Sequence, residues 1–229
     1  MTTLAMGEGR YPAAEHFPEQ VQYVVAYLDD AMPPEHPFAG VKAMPAGPGA
    51  PQVWLLGSSD YSGALAAQLG LRFAFAHFIS ARGGDEVARG YRALFDPGYE
   101  PKPYCAVALF VISADTQGEA DALASAVDLR RVQMAYGMNA PIPTVEQARD
   151  WQPDERARAV IAHERPRSII GTPQRVVERM LALQASFEAD EVIVLSVAAS
   201  YAARLRTYEL LAQAFELDRA GSCARVDAV

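Results

Sequence analysis

Pro51-Gln-Val-Trp-Leu-Leu-Gly57 leads through Ser58-Ser59-Asp60 into Tyr61-Ser-Gly-Ala-Leu-Ala-Ala-Gln-Leu69, and Gly70 separates this from Leu71-Arg-Phe-Ala-Phe-Ala-His-Phe-Ile79. The first apolar run follows the Pro/Gly-rich Pro45–Pro51 and has the length of a buried strand. Ser58, Ser59 and Asp60 offer N-cap chemistry, and Gly70 stands where a helix ends in the left-handed conformation. The second apolar run again has strand length. Strand, helix and strand joined by short loops form a βαβ unit, which builds a parallel sheet with helices outside it.

Outward from this unit the pattern repeats. Ala81 to Phe95 places Val87, Tyr91 and Leu94 on one helical face, and Tyr104 to Ser113 is a third apolar strand. Asp115 to Ala135 is an alanine-rich helix capped by Asp115 or Thr116. Residues 136–167 carry Pro141, Pro143, Pro153 and Pro166 and are predicted to form an insertion with a short helix near Pro153 to Ala162. Thr172-Pro173 opens a helix over Gln174–Phe187, as Pro at the first helical position favours. Asp190 to Val197 is the fourth strand and Tyr201 to Leu217 the last helix. Ahead of everything, Phe17 to Asp30 carries an apolar stripe at helical spacing. The alternation predicts one α/β domain over residues 1–229, with no change of composition to mark a second.

Composition narrows the class. Of 229 residues, 51% are apolar and 21% charged, enough to bury a core and against disorder. No uninterrupted apolar stretch reaches membrane-spanning length. The formal charge of −8 and the lack of a Lys/Arg-rich run give a nucleic-acid or anionic-membrane partner no electrostatic support. Cys105 and Cys223 lie far apart in no CxxC pattern, which predicts neither disulfide framework nor zinc site and suits a reducing cytoplasm. The first residues lack the basic and apolar regions of a signal peptide. No histidine or carboxylate spacing matches a metal site.

The candidate site is the turn Gly57, Ser58, Ser59 and Ser62. It lies at a parallel strand's carboxyl end and opens a helix, where unpaired backbone N–H groups and the helix dipole favour an anion. Gly57 lets a bulky anion approach, and the three hydroxyls add donors without charge, so phosphate is the natural guest. The alternative is that Ser58 or Ser59 simply caps the helix. His77, near the carboxyl end of FAFAHF, serves either as a hydrogen-bonded core residue or as a catalytic group. Gly171-Thr172-Pro173 offers a second anion site or a plain helix start. His16, His36 and His163 are expected on the surface, and the pairs Asp29-Asp30 and Asp190-Glu191 are expected to be solvated.

Pro51 to Ile79 resembles the central region of the bacterial-luciferase-like, flavin-dependent monooxygenases. The resemblance runs co-linearly through Phe17-Pro-Glu-Gln-Val21, Ser168-Ile-Ile-Gly-Thr-Pro-Gln-Arg-Val176, Asp190-Glu-Val-Ile-Val194 and Ala203-Arg-Leu-Arg-Thr-Tyr-Glu-Leu-Leu-Ala212. It implies a TIM (β/α)8-type barrel with FMN at the strands' carboxyl ends, its phosphate on the turn after the fifth strand, which here is Ser58, Ser59 and Ser62. It places His77 near the isoalloxazine edge. It further implies an oxidoreductase using reduced FMN, supplied by a separate flavin reductase, and O2 to oxidise a small organic substrate. A complete barrel needs about 250 residues, whereas the strands here match the family's strands five to eight, with the insertion before the last. The expected architecture is therefore an incomplete barrel whose strands one to four are absent. Gly9-Arg-Tyr-Pro12 is too close to Phe17 for its arginine to be assigned a role. Open strand edges predict a homodimer or a complementing N-terminal half. Two alternatives to the monooxygenase remain: a non-catalytic flavin- or phosphate-binding half-barrel that needs a partner chain, and the same fold holding another phosphorylated ligand.

Overall fold

In the computed structural model the described residues are 16–217 except Ala46 and Pro48; Gly9–Pro12 and Cys223 lie outside them. The elements are α1 (Phe17–Leu28), β1 (Trp54–Gly57), α2 (Asp60–Gln68), β2 (Arg72–Ala76), α3 (Gly84–Ala93), β3 (Cys105–Ser113), α4 (Gln117–Ala135), α5 (Val145–Asp150), α6 (Glu155–Glu164), β4 (Ser168–Gly171), α7 (Pro173–Phe187), β5 (Glu191–Leu195) and α8 (Tyr201–Ala214).

All strand pairs are parallel, and β3 takes part in every one except β1–β2. Its residues Cys105–Ala108 pair with Phe73–Ala76 of β2, and Ala106–Phe110 pair with Glu191–Leu195 of β5. Phe110–Ser113 pair with Ser168–Gly171 of β4. β1 pairs with β2, from Trp54 opposite Arg72 to Gly57 opposite Phe75. Among the described residues the sheet does not close, since β1 pairs with β2 alone and β5 with β3 alone. This is the expected incomplete barrel, with one addition. β4 is a strand that periodicity does not reveal, because four residues wedged against the end of β3 carry no alternation of their own.

Residues in parallel register share a face. Leu55, Phe73, Phe75, Cys105, Val107, Leu109 and Val111 form one face and are buried beneath α2, α3, α7 and α8, with Leu65, Tyr91, Val176, Met180, Phe187 and Leu211 packed on them. Each large side chain so buried contributes about 1.5–3 kcal/mol. The other face carries a floor of small residues, Ala74, Ala76, Ala106 and Ala108, flanked by Leu56 on β1 and Ile193 on β5. Leu56 is 60% exposed and Ile193 38%, so the apolar rim of this floor meets solvent at both open edges.

Polar staples fix the ends of the sheet. The Tyr91 hydroxyl donates to Leu71 O (2.9 Å) and accepts from Tyr104 N–H (3.1 Å), tying α3 to the starts of β2 and β3. Burial pushes its pKa up to about 12. Asp190 is not simply solvated as expected: it accepts from Cys105 N–H (2.8 Å) and from Arg92 (2.6 Å), so it clamps β5 and α3 to β3. Burial lifts the Cys105 thiol to about 11. Residues 136–167 are anchored on α4, where buried Asp128 accepts from Arg165 and Arg131 donates to Glu164 O at 3.3 Å; Arg131 also reaches Ser168 Oγ of β4 at 2.7 Å. Among the described residues no helix is long and apolar enough to cross a membrane, and no cluster of metal-ligating side chains occurs.

Candidate functional site

Gly57 ends β1 and Ser59 is the N-cap of α2, in extended conformation. Ser59 Oγ accepts from Ser62 N–H at 3.5 Å, Ser62 Oγ accepts from Ser59 N–H at 3.4 Å, and the Ser62 hydroxyl donates to Ser59 O at 2.8 Å. This is a reciprocal capping box, so the capping alternative is realised. Gly57 has a purpose that the sequence does not show. A Cβ built there would lie 2.1 Å from Ser62 Oγ and 2.2 Å from Ser62 Cβ. The absent side chain seats the first turn of α2 directly against the strand end.

The structure thus brings Gly57, Ser59 and Ser62 together. Ser58 is half-buried beside them and makes no side-chain hydrogen bond among the described residues. The donor set suits a phosphate monoester: the Ser59 hydroxyl makes only long contacts of 3.4–3.5 Å and the Ser62 hydroxyl donates to a single backbone carbonyl, both at the amino end of a nine-residue helix. The one negative group in that turn is Asp60, whose Oδ1 accepts from Tyr61 N–H at 2.8 Å.

β2 ends sooner than its apolar run, because the chain turns at Ala76, whose carbonyl accepts from Ile79 N–H at 2.9 Å. His77 lies within that turn, 4% exposed, with its ring 6.2 Å from that of Phe187. Among the described residues its Nδ1 has no partner, and no hydrogen bond joins it to the serines. Burial lowers its pKa and nearby Arg179 adds to the effect, so the imidazole is held neutral. At the amino end of α7, Thr172 is the N-cap and Pro173 follows, but the Thr172 side chain makes no capping hydrogen bond.

Pattern reading missed one group altogether. At the carboxyl end of β5, Ser196, Arg204 and Tyr208 line a cleft of about 360 Å³ together with Ile142 from the α4–α5 connection. The one available signal was a serine inside the apolar run Val192-Ile-Val-Leu-Ser-Val197.

The model of the family described as luciferase-like monooxygenase matches residues 15–188. The chain belongs to the luciferase-like monooxygenase family. The protein YwcH of Bacillus subtilis (strain 168) is 37% identical over 215 residues, 92% of this chain and 64% of its own length. A luciferase-like monooxygenase of Escherichia coli (strain K12) is 31% identical over 199 residues, 86% of this chain and 58% of its own. The crystal structure of apo-MsnO8 superposes with a TM-score of 0.82 at 32% identity, covering 94% of this chain and 64% of that one. The chain therefore spans about three fifths of the length of the luciferase-like relatives it matches, and the open sheet is the corresponding part of the barrel.

Proposed function

We propose that this luciferase-like chain carries the phosphate-binding part of an FMN-dependent monooxygenase that uses reduced flavin, supplied by a separate flavin reductase, and O2 to oxidise a small organic substrate. The observation that carries this is the β1–α2 turn, where the bare Cα of Gly57 admits Ser62 against the strand end. Hydroxyls and helix amides thereby converge on one spot. The Ser62 hydroxyl would turn from Ser59 O to donate to the phosphate, the Ser59 hydroxyl would donate while still accepting from Ser62 N–H, and Ser58 would add a third hydroxyl. Bound reduced flavin supplies the oxygen chemistry; the protein positions it and excludes water. His77, neutral and with Nδ1 open, is the proposed acid–base group at this end of the sheet.

Flavin fluorescence titration tests the reading. FMN should bind saturably, and Ser59→Ala or Ser62→Ala should each weaken it about tenfold, the worth of one charge-assisted hydrogen bond. Absence of binding at high micromolar FMN would overturn the flavin assignment for this chain. Oxygen-dependent turnover with a reductase, lost in His77→Gln while FMN still binds, would support the acid–base role.

The open edges of β1 and β5, with Leu56 and Ile193 exposed beside them, favour a second reading: a flavin- or phosphate-binding half-barrel, without catalysis of its own, that acts with a partner chain or as a homodimer. FMN binding without turnover, together with dimers in analytical ultracentrifugation, is its signature.

A further inference from the structure

The cleft after β5 contains polar groups that the fold itself does not use. Ser196 is 5% exposed, and among the described residues its Oγ has no hydrogen-bond partner. Burying a hydroxyl unpaired costs free energy that an apolar residue would avoid. Tyr208 Oη accepts from Ser196 N–H at 3.0 Å, which leaves the phenolic proton available to donate. Arg204 lines the cleft and takes part in no ion pair among the described residues. Two residues on, Arg206 is committed to Asp115 (Nε at 3.0 Å) and to Glu209. The remaining wall is apolar, with Ile142, Leu195 and Val197, and among the described residues no carboxylate lines the cleft.

We propose that this cleft is a binding site for the carboxylate of a small organic acid. The Arg204 guanidinium takes the carboxylate through its planar fork, and the Ser196 and Tyr208 hydroxyls donate to the same oxygens. One fixed positive charge matches a monoanion, and the apolar wall receives the organic remainder. A volume of about 360 Å³ suits a compact molecule. The site belongs to β5 and α8, away from the serine turn on β1 and α2, and stands or falls independently of flavin binding.

The test is an NMR titration of the flavin-free full chain with benzoate, its neutral counterpart benzamide, and inorganic phosphate. Benzoate should bind saturably in the millimolar range, shifting the amides of Ser196 and Val197, while benzamide binds about tenfold more weakly or not at all. Arg204→Gln, an exposed substitution that spares the fold, should weaken benzoate about tenfold or more. Ser196→Ala should also weaken it while melting no lower than the parent, because it removes a hydroxyl with no partner to lose. Equal binding of benzamide, tighter binding of phosphate, unaltered binding in Arg204→Gln, or no shift at Ser196 each overturns the proposal.

Discussion

Two strand-to-helix turns at the same end of the sheet handle their serines in opposite ways. After β1, Ser59 and Ser62 satisfy one another in a closed capping box, and Gly57 is bare so that they can. After β5, Ser200 caps α8 alone (3.1 Å to Ala203 N–H), while Ser196, the first residue past the strand, is buried with a hydroxyl that has no partner among the described residues. The first turn is complete as a piece of folding and must loosen to take a ligand. The second is incomplete as a piece of folding, and a ligand would complete it. Polar groups at a strand end therefore differ less in kind than in whether the chain has already used them.

The difference can be broken from either side. The largest effect is expected from Gly57→Ala, because the new methyl would meet Ser62 Cβ, part of a packed helix turn. We expect a loss of about 1–3 kcal/mol, as for overpacking, read as a fall in Tm of about 2–4 °C per kcal/mol for a domain of this size. Adding Ser62→Gly should recover much of it, less about 1 kcal/mol for glycine in a helix. Next comes Ser59→Ala, which removes the N-cap acceptor and should cost about 1 kcal/mol; full stability would show that the capping box is idle.

A third strand end, that of β2, sharpens the contrast through pH. His77 has a depressed pKa in the folded state, so below the ordinary imidazole value of about 6.5 the unfolded chain binds more protons than the native one. Stability should be complete above that pH and fall as pH drops through it. His77→Phe should flatten the profile between neutrality and pH 5 in thermal melts. The smallest effect is Ser196→Ala, expected to change stability by no more than about 0.5 kcal/mol and in the stabilising direction. A clear destabilisation there would mean that the hydroxyl is already used.

Much of this was legible in the sequence, for identifiable reasons. The run ending at Gly57, Gly70 at φ +60° and the two helix caps each depend on a few consecutive residues; of the capping candidates the pattern offers, the structure uses Ser59 and Thr116. β4 was not legible, because Ser168–Gly171 becomes a strand only by lying against the far end of β3. The role of Gly57 was half legible. A glycine at a strand end signals close approach, but the approaching group is Ser62 of the same chain. His77 illustrates the opposite limit. Its place near a strand end could be read, yet the turn at Ala76 that buries it against Phe187 depends on tertiary packing. Ser196, Arg204 and Tyr208 are twelve residues apart at most, but only the geometry of α8 over β5 puts them around one cleft.

Cys105 opens β3, the strand on which β2, β4 and β5 all depend, and its thiol is fully buried with its pKa lifted to about 11. A thiolate is the reactive species, so at neutral pH alkylation has to wait for the centre of the sheet to come apart. In a chain whose other cysteine, Cys223, is replaced by serine, the labelling rate of Cys105 becomes a clock for that opening, one that marginal fraying of β1 or β5 leaves unmoved and that a companion closing the sheet would slow.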